Sequence, residues 1–471
     1  MQRSFFLRAL LALTMMACAL SPGLRAQEEP AAAAGMEEQA DGDAESPGEG
    51  EKLWELSGYI ESENFIMFGR GLKKSEYLVV SGAPVKVERN QHLINKAETH
   101  GYLDLRVGND TIHARAAVHG YVYPTGNEAE YLRNRVLANE LYLRWLTAHT
   151  DLKIGTQTIR WGTADVINPT SYFTPMDLRE VFFKDEDEMF LGVHAVSLSL
   201  LFGDYSLQLV CAPIASATLL PSTFSPWYVR LAKRHHLPLY YYYRAPDIPK
   251  SGANICYGGR FSGTASIVDF SFSAYRGIDR DVLLAPAVDL RGPLTTVYVM
   301  PRYRNLTCFG FDIAVATGDV TLQAEAAYSF NKNGVTEPDT GRASFSGIEP
   351  AHYLNVAAGL NWLVDGEDFN ITLEINKSMY LVRPHRFIDP LISNLVIARV
   401  EKKFFNGSLC VRLQGMMTLD LDFLLMPSIG YDFRNGLLIE AEGGIFGGSD
   451  DTLFGSYNSR DIMRVRAKYQ F

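Results

Sequence analysis

Beyond its first residues, the 471-residue chain has no run of 18 or more consecutive apolar residues, so no membrane-spanning helix is expected. Cysteine is scarce, and Cys211, Cys256, Cys308 and Cys410 stand far apart. None falls in a C-x-x-C or Cys/His group, which excludes a zinc site and a disulfide framework. Positive charge is also short, with 44 Lys and Arg against 54 Asp and Glu, and this argues against nucleic acid as a partner. No G-x-S-x-G, phosphate-binding glycine loop or H-E-x-x-H occurs, so nothing marks an enzyme, a cofactor or a metal.

The ends read as processing and spacer segments. Arg3 and Arg8 precede an apolar run from Ala9 to Leu20, and Leu24-Arg25-Ala26 offers a small-residue cut. Residues 1–26 are expected to be a signal peptide, with lipidation at Cys18 as a rival processing route. From 27 to 52 the chain is Ala, Gly, Pro and acid, with nine carboxylates against Lys52. Such a tail has little to bury and is expected to be disordered. Residues 53–471 are left to form the folded domain.

Alternation is abundant in that domain. In 320–330, Val320, Leu322, Ala324, Ala326, Tyr328 and Phe330 share one face, with Thr321, Gln323, Glu325 and Ser329 on the other. Residues 112–122 and 369–376 repeat the pattern, as does 463–471, where Met463, Val465, Ala467, Tyr469 and Phe471 oppose Arg464, Arg466, Lys468 and Gln470. A period of two with one apolar and one polar face suits a barrel wall between lipid and water. Mean hydropathy stays near zero despite 24 Tyr and 26 Phe, because alternation cancels in an average.

Eighteen strands can be placed, with 16 to 20 possible. Residues 295–304 read as part of a loop or as an extension of the next strand. Even-numbered strands end in Gly, Asn and Asp turns such as 108–110, 203–204, 317–319 and 434–436, the chemistry of tight hairpins. Odd-numbered strands mostly lead into long connections: 69–96, 124–136, 161–191, 213–252, 277–305, 331–351, 381–393 and 447–460. A soluble sandwich has no reason to sort its loops by parity. The expected fold is therefore all-β, a transmembrane antiparallel up-and-down barrel with short periplasmic turns and long extracellular loops. Its location would be the outer membrane, with lipids and the barrel-assembly machinery as partners, as a monomer or homotrimer. A closing strand ending on Tyr469 and Phe471 resembles the assembly signal of such barrels.

With apolar faces toward lipid, the lumen would display Arg115, Arg144, Arg399, Arg412, Arg464, Arg466 and Lys468 beside Glu140, Glu325, Glu374, Glu401, Glu440 and Glu442. The signs are balanced and name no solute. The most distinctive segment is 155–180, with Trp161-Gly162 and Asn168-Pro169 fixing bends. Its charged residues Arg160, Asp165, Asp177, Arg179 and Glu180 could satisfy one another. An inward fold would make this segment a constriction, and an outward one a rigid surface loop. His235-His236 near Tyr240–Tyr243 reads as an aromatic rim rather than a metal site.

The run of Gly155, Gln157, Trp161, Gly162, Asp165, Asn168, Pro169, Asp177, Arg179 and Glu180 resembles uncharacterised porin-type outer-membrane proteins. These are distantly similar to alginate-export and substrate-selective porins. Residues 447–457 are similar to the same group, whereas the acidic tail and the spacing between Pro169 and Asp177 depart from it. The resemblance implies a barrel and a passive channel for small hydrophilic solutes, without naming one. The competing expectation is a non-conducting adhesin that meets its partners through the long loops.

Overall fold

In hydrocarbon, backbone N–H and C=O groups have no water to bond, so a spanning sheet must close on itself. The computed structural model does this. It describes residues 53–80, 83–123, 134–180, 183–216, 218–221, 227, 254–281, 283–289, 296–338, 346–381, 392–449, 452–458 and 460–471. The strands are β1 (Trp54–Val80), β2 (Ala83–Gly108), β3 (Ile112–Val122), β4 (Arg135–Leu146), β5 (Thr150–Gln157), β6 (Val193–Phe202) and β7 (Tyr205–Ala212). They continue as β8 (Cys256–Ala265), β9 (Val268–Ile278), β10 (Leu283–Asp289), β11 (Thr296–Arg302), β12 (Asn305–Thr317), β13 (Val320–Pro338) and β14 (Ser346–Glu367). The last are β15 (Phe369–Tyr380), β16 (Ile392–Phe404), β17 (Leu409–Met417), β18 (Phe423–Asp432), β19 (Leu437–Gly447) and β20 (Asp461–Gln470).

Eighteen of these form one antiparallel sheet, each paired to its chain neighbour, and β1 pairs with β20 to close it. The seam runs from Tyr59 opposite Gln470 to Phe68 opposite Asp461, and Phe471 exchanges both backbone hydrogen bonds with Gly58. All 18 expected wall strands are present. The segment 295–304 lies in the connection after β9, where β11 pairs with β10 in a separate hairpin outside the barrel sheet.

Two expected loops are largely strand. The ladder between β1 and β2 continues to Val80 opposite Ala83, so the described part of 69–96 is a ribbon rather than an open loop. The β13–β14 ladder likewise reaches Pro338 opposite Ser346. A ladder that already pairs every backbone group continues past the membrane whenever no residue stops it. One odd connection, Thr418 to Asp422 between β17 and β18, is short and is held by the Thr418 hydroxyl on Asp422.

The short turns carry the positive φ that a two-residue hairpin requires, as at Gly203 (61°) and Gly318 (56°). Near these turns the outer surface is aromatic, with Trp145, Phe202, Tyr205, Phe404, Tyr431, Phe433, Tyr469 and Phe471 exposed. Such a girdle suits a membrane–water boundary. Higher up, the exposed face is aliphatic, including Leu103, Leu141, Ile375, Ile429 and Val465.

Candidate functional site

β5 and β6 are wall neighbours, so the connection between them could have returned directly on the outside. Instead, the described residues of 158–192 fold into the barrel. Ile159, Trp161, Val166, Ile167, Thr170, Met176, Asp177 and Leu178 are all nearly devoid of solvent contact. The segment holds itself together through paired hydrogen bonds between Ile159 and Thr174, and a bridge between Met176 and Phe190. Its last part is a single helical turn, Glu186–Met189.

The far wall supplies the anchor. Glu325 of β13 accepts hydrogen bonds from the Thr163 and Ala164 N–H groups at 2.5 and 2.6 Å. It also accepts from Asn168 Nδ2 and from the Thr170 N–H and hydroxyl. Glu374 of β15 takes the Val166 and Ile167 N–H groups at 2.8 and 2.7 Å. β15 lies eight steps round an 18-strand wall from β5, so the loop crosses the lumen. Gly162 makes the approach possible: at φ 108°, a Cβ there would meet the Glu325 carboxylate at 2.4 Å.

The opposite side of the loop carries acids that meet cations of the loop itself and of the wall. Asp177 bonds Lys184 at 2.6 Å and Arg179 at 2.7 Å, with Arg135 at 3.8 Å. Glu180 bonds Lys96 at 2.8 Å, and that ammonium also meets Glu63 and Glu98. Asp185 pairs with Arg466, which also holds Glu440. Glu188 reaches His100 at 3.1 Å and accepts from the Tyr121 hydroxyl, while His100 bonds His119. Burial pushes the Asp177 carboxyl up, but Lys184, Arg179 and Arg135 outweigh it and hold it well below the usual carboxylate range. Glu180, Asp185 and Glu188 are lowered in the same way, against burial, mainly by Lys96, Arg466 and His100 respectively.

Apolar packing completes the seat. Phe65 and Met67 of β1, Leu395 and Ile397 of β16, Met416 of β17, Leu424 and Met426 of β18 and Phe446 of β19 point inward. They pack in one cluster with Val166, Ile167, Met176, Leu178, Phe183, Met189 and Phe190. A wall strand with an inward apolar face needs protein, not water, on that side. A second cluster gathers Trp161, Tyr172 and Phe173 against Tyr275, Leu306 and Cys308, with Trp161 Nε1 bonded to Gln208.

The expected residues fall as follows. Arg160 stacks on Phe190 and reaches Asn168, and Asp165 accepts from Gln323 at 3.4 Å. Asp177 and Arg179 do pair, but Glu180 is satisfied by the wall, so a network closed within the loop is not what forms. Arg115 sits between Asp104 and Glu140, Arg144 on Asp151, and Arg412 on Glu401, all near the short turns. Arg464 pairs with Glu442 and donates to the Phe183 carbonyl. Lys468 lies 3.6 Å over Tyr59, and Arg399 bonds Thr372. Lys184, Asp185 and Glu188 of the loop, and Lys96, Glu98 and His100 of β2, were not foreseen. The alternation of Lys96, Glu98, His100, Tyr102 and Asp104 was the available signal: Lys96 fell in the expected loop 69–96, and the other four lay on an expected strand without being singled out as lumen-facing. The four cysteines are free. Residues 1–52, His235-His236 and Tyr240–Tyr243 lie outside the described residues.

No family model matches the sequence, and no curated protein matches it. Among solved structures the chain is similar to OccAB1 of Acinetobacter baumannii, at 8% identity over 88% of this chain and 96% of that one, with a TM-score of 0.50. A BenF-like porin from Pseudomonas fluorescens follows at 10% identity, 88% and 98% coverage and a TM-score of 0.48. The outer membrane channel DcaP of Acinetobacter baumannii is similar at 9% identity, 89% and 97% coverage and a TM-score of 0.42. At such identities the likeness is one of fold alone, and the fold is that of porin-type outer-membrane barrels.

Proposed function

We propose that the protein is an outer-membrane channel for passive diffusion of small hydrophilic solutes, with segment 158–192 as its constriction. The observation that carries this reading is the seat on Glu325 and Glu374. A loop built to meet external partners would leave its backbone donors and apolar side chains toward solvent, whereas this one spends both on the lumen wall. Arg160, Trp161, Asp165, Asp177, Arg179 and Glu180 then act by fixing the loop across the bore. Residues 1–26 direct export, and the Tyr469–Phe471 end serves barrel assembly.

On this reading the passage runs past Arg399 of β16, a partly exposed cation that bonds Thr372. The test is single-channel recording of the refolded protein in a planar bilayer, with reversal potential under a salt gradient. Stepwise openings are expected, and Arg399→Glu should shift the reversal potential toward cation preference. A folded barrel that never opens would sink the channel reading in favour of the adhesin.

A further inference from the structure

Beside the loop seat, on the side of the long connections, lies a cavity of about 50 Å³ that belongs to neither the ion-pair network nor the outer surface. Its floor is Pro169 to Tyr172, drawn to the wall because Thr170 bonds Glu325. Tyr172 stacks on Tyr275 with centroids 5.3 Å apart. Gly310 leaves the room for this, since a Cβ there would lie 2.5 Å from the Tyr172 hydroxyl.

The opposite wall is Lys332, whose ammonium bridges Asp279 at 2.9 Å and Asp281 at 2.6 Å. Lys332 has 7% side-chain exposure and Asp281 has 32%, so the cavity opens past Asp281. Inside, Ser171 is 3% exposed and its hydroxyl has no partner among the described residues.

The chemistry of this lining is specific. Lys332 and Arg280 balance Asp279 and Asp281, so neither an anion nor a cation gains from entering. What remains is a carboxylate acceptor, an ammonium donor, a free hydroxyl and phenol faces. Groups that both donate and accept fit such a set, and hydroxyls do so while a C–H face covers a ring. The space exceeds several-fold the roughly 10–15 Å³ that admits a single water, so it has room for a small molecule.

We propose that this cavity binds a small polyhydroxylated solute, with adjacent hydroxyls spanning the Lys332–Asp281 pair and Ser171, and its carbon face on Tyr172. The binding does not depend on whether the pore conducts.

Cys308 provides the readout, because it lines the cavity and is otherwise buried. The refolded full-length barrel is treated with methyl methanethiosulfonate, and labelling of each cysteine is followed by peptide mass mapping, with and without glycerol. Labelling of Cys308 should slow about tenfold when glycerol is near ten times its Kd, while labelling of Cys211, on the exposed face, stays unchanged. Ser171→Ala should weaken the protection severalfold and Lys332→Met should abolish it, in barrels whose heat-modifiable gel mobility shows that they are folded. The Ser171→Ala variant decides the matter if Lys332→Met does not fold. Three results would overturn the proposal: no protection by glycerol, equal protection by 1,2-dimethoxyethane, or no reaction at Cys308 at all. In the last case the cavity is closed to molecules of that size.

Discussion

The two sides of the inward-folded segment after β5 are held by opposite chemistry. On the β13–β15 side the wall contributes acids, Glu325 and Glu374, and the loop answers with backbone N–H groups. On the β20 and β1–β3 side the loop contributes the acids, and the wall answers with Lys96, Arg466, His100 and Tyr121. The first seat reads loop shape, because only a chain bent at Gly162 can bring successive N–H groups onto one carboxylate. The second reads loop side chains. Together they show that many of the charged groups on this wall are not a solute track: they are occupied in fixing the loop.

The comparison predicts unequal consequences. Glu325→Ala with Glu374→Ala removes every acceptor of the first seat, and hydrogen bonds to charged groups contribute about 1.5–3 kcal/mol each. The segment 158–180 should then become cleavable by protease in barrels that keep their strand content by circular dichroism. Protection equal to wild type would mean that the apolar cluster alone holds the loop.

A smaller effect is expected from Asp177→Asn. It leaves Lys184 and Arg179 without their buried acid, a loss of about 3–5 kcal/mol. Because the N–H seat on Glu325 and Glu374 is untouched, the thermal midpoint should fall while protease protection near Thr163 persists. Loss of both would show that the two seats act as one unit.

The smallest effect concerns pH. Asp177, Glu180, Asp185 and Glu188 are all held below their ordinary range. Groups with a lowered folded value contribute stability that is complete above the unfolded value of about 4 and lost as pH falls below it. Protection of 183–190 from protease should therefore decline below about pH 4, whereas the part owed to Glu188 also needs a protonated His100 and weakens above neutrality. A decline that sets in between about pH 6 and 5 would contradict this assignment of the loop's acids.

How much of this was readable beforehand follows from where the environment imposes a pattern. Lipid demands an apolar outer face at every second residue, so all 18 wall strands were legible from alternation. Beyond the membrane that demand ends. The upper parts of β1 and β2, with Gly69-Arg70-Gly71 and a run of mixed charges, therefore read as loop although they pair as a ribbon. The start of the inward-folded segment was legible as a fixed loop through Trp161-Gly162 and Asn168-Pro169. Its inward course was also written, less plainly, in Phe423-Leu424-Leu425-Met426. Leu424 and Met426 there are apolar on the face that a water-filled lumen would make polar. The ion partners were not legible, because a charged residue in a loop has the same sequence signature in solvent or in a buried pair.

The most direct test of the central claim is the single-channel conductance of the Glu325→Ala, Glu374→Ala barrel beside wild type in the same bilayer. The loop seat predicts a larger and noisier conductance in the double variant, because the segment that crosses the lumen is released. Equal conductance in both would contradict the claim that 158–192 sets the bore.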